Sequence, residues 1–168
     1  MIDRGALVLA RDPARPYRGV NRPALDAQTF TGRKGRDLAS RYRDSVIAGE
    51  GVLEDLDEAI ELRDSALKLG LSALEVIVFE VPQEPAPRAG SLPIAVNSPA
   101  EGLTLLGWDV IEMLEPFWSP IASDASIDAA RNENGLIAQR ADAERVAQSW
   151  NAAHADDDPV IAVRIWGT

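Results

Sequence analysis

Hydrophobic and polar positions alternate with the period of an α-helix in three stretches of the chain. Over residues 53–70 apolar side chains recur every three to four positions, acidic side chains crowd the first turns, and Gly70 follows as a left-handed C-cap. Residues 142–154 repeat this period, with Asp142 in the place of an N-cap. A further helix is predicted over residues 36–48, where glycines follow directly.

Four other stretches have the patterns of β-strands. Residues 5–10 form a short apolar run, and residues 159–166 alternate in steps of two. Residues 74–81 are rich in β-branched side chains and apolar on both sides at their centre, which predicts an inner strand covered on both faces. Residues 103–113 also alternate, and Gly107 in their middle indicates a bulge or the close approach of another backbone.

Proline and glycine interrupt these patterns twice. Residues 11–35 contain three prolines and three glycines and predict an extended basic arm or loop. Residues 82–101 contain five prolines, which no helix or inner strand tolerates, and predict a Pro-rich loop. The order of elements predicts a single α+β domain, with a mostly antiparallel sheet and two or three helices packed on one face. We expect residues 74–81 and 103–111 to be antiparallel neighbours in that sheet.

One hydrophobic core is expected to collect the inward positions of these elements. Its expected members are Leu56, Ile60, Leu67, Val76, Val78, Leu105, Val146, Trp150, Ile161 and Val163. Truncation of one of its leucines or isoleucines to alanine is expected to cost about 2–5 kcal/mol.

Composition narrows the chemistry that the chain can perform. With 168 residues, 46% hydrophobic and 26% charged, it has the make-up of one globular domain. It has no cysteine and one histidine, which excludes disulfides, thiol catalysis and a His–His metal site within the chain. The glycine-rich phosphate and dinucleotide loops and the GxSxG nucleophile elbow are absent from the sequence. We therefore expect no cofactor, no metal and no catalytic residue.

Charge is divided unevenly along the chain. Residues 1–50 contain ten basic and six acidic residues, residues 51–168 contain seven basic and 21 acidic residues, and the net charge is −10. An acidic body repels nucleic acid and anionic membranes and attracts a partner protein with a basic surface. The alternative is that the acidic surface only keeps the protein soluble. With no long apolar run we expect a cytoplasmic location, and self-association into a homo-oligomer stays open.

A cluster of cationic side chains stands out in this acidic chain. Arg33, Lys34 and Arg36 lie in TGRKGRD, just before the predicted first helix. Backbone amides and guanidinium groups at a helix start can hold an anion, which makes these residues a candidate anion-binding site. The alternative is a solvated basic loop.

Asp109 is an acid inside an apolar strand and is the candidate pocket residue. A buried carboxylate there is costly unless it is paired or hydrogen-bonded. It either lies near the mouth of a pocket, as in a carboxylate-based enzyme, or on an open face of the sheet or against a loop amide.

Trp118 lies between prolines in EPFWSP, outside every periodic pattern. An aromatic side chain on a stiff loop is a common interface anchor, and the acidic Glu115, Asp124 and Asp128 are near it in sequence. These four residues are the candidate interaction site. The alternative is a lid over a small satellite core.

Two further polar features have structural explanations. His154 comes at the end of a predicted helix, and we expect it to cap that helix rather than to act as a general base. The run Asp156–Asp158 lacks the spacing of a calcium loop and is expected to end that helix.

The segments LLGWDVIEM, NENGLIAQ and VIAVRIWG, within residues 103–168, resemble small uncharacterised bacterial proteins that we associate with the immunity proteins of toxin systems. The resemblance implies a binding function and carries over no functional residue. The arginine- and alanine-rich composition agrees with a bacterial, GC-rich genome. The sequence therefore predicts a non-enzymatic protein-binding or immunity-type module; the alternative is a small-ligand-binding protein or a carboxylate-based enzyme with its site near Asp109.

Overall fold

A computed structural model of the protein describes most of the predicted elements. The described residues are 4–10, 32–42, 46–48, 52–71, 74–83, 101–112, 119–123 and 131–167. Of the predicted arm and Pro-rich loop, residues 11–31 and 84–100 lie outside these ranges.

Within the described ranges, six strands form one sheet in which every neighbouring pair is antiparallel. The strands are β1 (Arg4–Ala10), β2 (Val46–Ala48), β3 (Val52–Leu53), β4 (Leu74–Glu80), β5 (Thr104–Glu112) and β6 (Val160–Gly167). The helices are α1 (Gly32–Tyr42), α2 (Leu56–Lys68), α3 (Pro120–Ser123) and α4 (Arg140–Ala153). The strand order is β2-β3-β1-β4-β6-β5. The predicted α+β class with a mostly antiparallel sheet is confirmed.

The predicted pairing of β4 with β5 is wrong. The last strand, β6, lies between them and is antiparallel to both. Val163 and Ile165 are buried on one face of β6, and Val160 and Trp166 are buried on the other, so β6 suits an inner position in which both of its edges pair. Local sequence patterns contain no information about this choice of neighbour.

α2 and α4 pack on the same face of the sheet. Side chains alternate between the two faces along a strand, so the register shows which residues share a face. Val78 lies opposite Trp166, and Val110 lies opposite Ala162, in the same two-residue phase of β6. The first pair packs under α2 and the second pair packs under α4. The predicted placement of the helices on one face is confirmed.

This helix face carries two hydrophobic clusters rather than the single core that was predicted. The buried members under α2 include Ala6, Val8, Leu53, Ala59, Leu62, Ala66, Val76, Val78 and Trp166. The buried members under α4 are Trp108, Val110, Ile121, Ile137, Ala143, Ala147 and Val160. The expected core residue Val163 is buried on the opposite face, one position along β6 from Ala162.

The stripe that α2 turns toward the sheet is shifted from the predicted one. The predicted inner stripe contains Leu53, Leu56, Ile60 and Leu67, with Ala59 and Ala66 beside it. Leu53 is buried in β3, the buried residues of α2 are Ala59, Leu62 and Ala66, and Leu67 is 42% exposed. Alanine has the smallest side chain that still favours a helix, so the alanine side lets the helix approach the sheet most closely. Leu56 and Ile60 pack at the margin of the cluster.

The bulge predicted at Gly107 is confirmed. The register between β5 and β6 shifts between Leu105 and Gly107, and Gly107 has a φ of +147°. A Cβ atom there would lie 2.8 Å from the Cβ of Leu136 and 3.0 Å from the carbonyl oxygen of Ile137, so the contact requires glycine. Leu105, an expected core residue, comes just before the bulge and is 43% exposed.

The start of α1 and the N-cap of α4 differ from the prediction, whereas the C-cap of α2 agrees with it. α1 begins at Gly32 and ends at Tyr42, so residues 32–35 are its first turn rather than part of the arm, and Val46–Ala48 is a strand. Gln139, not Asp142, is the N-cap of α4. Gly70 has a φ of +93° after α2, as predicted for a left-handed C-cap.

The second face of the sheet is also buried. Phe79 lies opposite Ile165, Asp109 lies opposite Val163, and all four side chains are fully buried. Residues 76–79 of β4 are buried on both faces, which confirms the prediction of an inner, doubly covered strand.

Candidate functional site

A row of three charged side chains and one tryptophan crosses the helix face of the sheet. Arg4 lies opposite Glu80, Glu80 lies opposite Arg164, and Arg164 lies opposite Trp108, on the four consecutive strands β1, β4, β6 and β5. We call these four residues the charged row. The strand register alone therefore places a carboxylate between two guanidinium groups, with an indole ring at the end.

Glu80 is the centre of the charged row. Its Oε1 accepts a hydrogen bond from Nη2 of Arg4 at 2.6 Å, and its Oε2 accepts from Nη1 of Arg164 at 3.1 Å. Nε1 of Trp166 donates to the same Oε2 at 3.2 Å. The side chain of Arg164 is only 5% exposed and that of Glu80 is 17% exposed. Because water has little access to these two side chains, their charge-assisted hydrogen bonds are strong and offset the cost of burying both ions.

Trp108 joins the charged row to the start of α4. The guanidinium carbon of Arg164 lies 5.7 Å from the centre of the indole ring, and that of Arg140 lies 5.8 Å from it. Both distances are in the range of a cation–π interaction. Arg140 also pairs with Glu144 at 2.7 Å, so the second cation has its own carboxylate.

The charged row contains chemistry that sequence analysis did not single out. Arg164 stands in the middle of the apolar strand VIAVRIW, and Glu80 ends the apolar strand LEVIVFE. A charge within an apolar strand is the signal that could have identified them, as it did for Asp109. In its chemistry the row is a set of fixed ion pairs, in which arginine holds carboxylates by oriented hydrogen bonds.

Asp109 is buried on the opposite face from Arg164. Its Oδ1 accepts a hydrogen bond from the backbone N–H of Val110 at 2.7 Å and from Oγ of Ser119 at 2.6 Å. Ser119 immediately precedes α3, and both side chains are fully buried. Asp109 therefore does not lie on an open sheet face. A pocket at Asp109 stays a prediction.

Two motifs of the predicted resemblance, GWDV and NENGL, contact each other. Oδ1 of Asn132 accepts from the N–H groups of Asn134 and Leu136, at 3.0 and 3.2 Å. Nδ2 of Asn132 and Nδ2 of Asn134 both donate to the carbonyl oxygen of Leu106, at 2.6 and 3.1 Å. This turn packs on the bulge at Gly107, so both motifs have a structural explanation.

Acidic side chains gather where β5 ends and β6 begins. Glu112 lies opposite Val160, and the exposed run Asp156–Asp158 precedes β6. Burial, together with the negative charges of Asp158 and Asp157, raises the pKa of Glu112. We call Glu112, Asp156, Asp157 and Asp158 the acidic corner. Among the residues that the structure describes, no group of three or more acidic or histidine side chains could hold a metal ion.

His154 is at the end of α4 and caps it. Its backbone N–H donates to the carbonyl oxygen of Trp150 at 2.9 Å, and its Nδ1 lies 3.0 Å from the same oxygen. The imidazole stacks on the Trp150 indole with ring centres 4.0 Å apart. These contacts agree with the structural role that the sequence predicted.

The other predicted site residues are only partly within the described structure. Arg33 and Lys34 are exposed in the first turn of α1; the side chain of Arg36 is outside the described residues. The four residues of the candidate interaction site, Trp118, Glu115, Asp124 and Asp128, also lie outside the described residues. Their roles stay predictions.

No protein-family model matches the chain, and no curated protein or solved structure matches it. Within the described residues, no helix has both the length and the apolar character needed to cross a bilayer. A functional proposal therefore depends on the side chains of this protein and on their arrangement.

Proposed function

We propose that this protein is a non-enzymatic, immunity-type binding module that engages a basic surface on a partner protein through its acidic corner. One observation supports this most: Glu112 lies at the end of β5 opposite Val160, and the exposed Asp156, Asp157 and Asp158 come just before β6 begins. Like charges held together destabilise the free protein, and an approaching cationic surface relieves that repulsion. The immunity-type part of this proposal rests on the sequence resemblance within residues 103–168 alone.

A diffuse basic surface fits the acidic corner better than a single metal ion. Asp156, Asp157 and Asp158 are all exposed, and no described group of acids could hold a metal ion. Exposed charges at the rim of an interface mainly increase the association rate and set its salt dependence.

The enzyme alternative receives less support. Catalysis by Asp109 requires a carboxylate that substrate can reach, whereas its side chain is fully buried. Its Oδ1 already accepts two hydrogen bonds. Asp109 is better explained as part of the fold.

The test compares two charge-reversal variants of equal net charge. The partner is first captured from the native host and identified. Association rates are then measured for the triple variant Asp156→Lys, Asp157→Lys and Asp158→Lys and for a control, Glu54→Lys, Glu101→Lys and Glu133→Lys, whose positions are also exposed. We expect the corner variant to slow association at least tenfold more than the control, with a flatter salt dependence. Equal slowing by both variants would contradict the proposed site.

The candidate anchor Trp118 is tested separately. Trp118→Ala is expected to leave the melting temperature nearly unchanged and to weaken partner capture, because a buried aromatic anchor often dominates binding energy. Unchanged capture at the same salt concentration would remove Trp118 from the interface.

A further inference from the structure

The outer edge of β5 is closed by groups from its own chain. β5 is the last strand in the sheet order, with β6 on its inner side. On the outer side, the N–H of Trp108 donates to the carbonyl of Ile137 at 2.9 Å, and the N–H of Ile137 donates back at 2.9 Å. The peptide groups of Trp108 therefore point away from β6. Because these directions alternate along an antiparallel strand, those of Val110 and Glu112 also point outward.

The side chain of Asp109 covers the next peptide group that points away from β6, the N–H of Val110. The N–H of Val110 donates to Oδ1 of Asp109 at 2.7 Å, so the amide that an added strand would use already has an acceptor. Ser119 donates to the same oxygen at 2.6 Å and fixes it there. Just before Trp108, the bulge at Gly107 disturbs the ladder. A bulge, a covering turn and an inward-pointing charge are three known ways of protecting an edge strand.

We propose that the Asp109–Ser119 pair locks the outer edge of β5 against strand addition by a second copy of this chain. The strand is largely apolar on both faces and includes the run LLGWDVI, which suits pairing with an identical strand. If the β5 strands of two copies paired about a two-fold axis, they would be antiparallel, and each copy would contribute the same peptide groups. The three devices lie in immediate succession over residues 105–110 of β5.

Hydrogen exchange of wild-type protein gives the first test. The Val110 amide should exchange at least a hundredfold more slowly than in an unstructured peptide, although none of the described strands pairs with it. Exchange at the rate of an unstructured peptide would overturn the proposal, and this measurement depends on no variant.

The variant Ser119→Ala gives the second test, with Ser149→Ala on the exposed side of α4 as the matched control. In Ser119→Ala the Val110 amide should exchange at least tenfold faster than in wild type, while the amides of Val78 and Val163 change less than twofold. Light scattering should show a dimer fraction that rises with concentration in Ser119→Ala and exceeds that of wild type and control. Unchanged Val110 exchange, equal acceleration of all these amides, or no added dimer would each overturn the lock.

Discussion

Two charged residues occupy adjacent rungs of the same strand pair, and the fold compensates for them differently. Arg164 lies opposite Trp108 on the helix face, and Asp109 lies opposite Val163 on the second face. Arg164 pairs with a carboxylate and an aromatic ring, whereas the described bonds of Asp109 come from a backbone amide and a serine hydroxyl. Ion pairing extends the first charge into a row across four strands. The described hydrogen bonds of Asp109 lie at one strand edge.

The charged row is a network across four strands, whereas the described contact between Asp109 and Ser119 involves one strand. Removing one ion of the charged row leaves another buried charge without compensation, and the cost spreads across the sheet. Removing the Asp109 carboxylate takes an acceptor from two neutral donors at one edge, the Val110 amide and the Ser119 hydroxyl. The comparison therefore predicts large global effects on one face and smaller, local effects on the other.

The largest expected effect comes from Arg164→Ala. It leaves Glu80 half-compensated in a poorly hydrated position and should lower the free energy of unfolding by about 3–5 kcal/mol. Urea denaturation measures this value. The double variant Glu80→Gln with Arg164→Met should recover much of the loss, since no buried ion then lacks a partner. A double variant as unstable as the single one would show that packing, not charge, dominates the row.

Asp109→Ala should rank second, with a loss of about 1–3 kcal/mol for the Val110 amide and the Ser119 hydroxyl left unsatisfied. Asp109→Asn keeps an acceptor for the amide and should lose less. The same urea experiment compares both variants. If Asp109→Asn costs as much as Asp109→Ala, a neutral acceptor does not replace the carboxylate, and the neutral-donor explanation of this face is wrong.

Gly107→Ala tests the bulge next to both residues. The added Cβ meets the side chain of Leu136 at 2.8 Å and the backbone of Ile137 at 3.0 Å, in a backbone conformation with φ +147°. The expected destabilisation is about 1–3 kcal/mol. Gly102→Ala is the matched control, because it has a φ of +83° and open space around its Cβ position. Equal costs for both would mean that strain, not the contact with the turn, explains the glycine.

The smallest effect is expected for Glu112→Gln, and it has the opposite sign. The pKa of Glu112 is raised in the folded state above its ordinary value of 4.5, so the folded protein holds that proton more tightly than the unfolded chain does. Ionisation of Glu112 at neutral pH therefore opposes folding, and Glu112→Gln should raise the melting temperature at pH 7. The gain should shrink as the pH falls through the raised pKa and vanish well below 4.5. Glu133→Gln, at an exposed turn, is the control, and an equal gain there would exclude a specific effect of the acidic corner.

Local patterns were sufficient to predict most elements. The strands β4, β5 and β6 and the helices α2 and α4 were predicted from the alternation of apolar and polar residues, because that alternation records which side of an element loses water. The bulge at Gly107 and the C-cap at Gly70 were predicted because glycine most readily adopts those conformations. α1 was displaced by four residues at its start, since few apolar positions define its inner side.

The sequence by itself determined the α+β class, the position of Asp109 as a charge inside an apolar run, and the acidity of the chain beyond residue 50. Only the tertiary structure decided that β6 separates β4 from β5, and with it that Glu80, Arg164 and Trp108 form one row while Asp109 faces Ser119. The physical reason is that periodicity is a local property of consecutive residues, whereas strand order and the partners of a buried charge depend on contacts between residues distant in the chain.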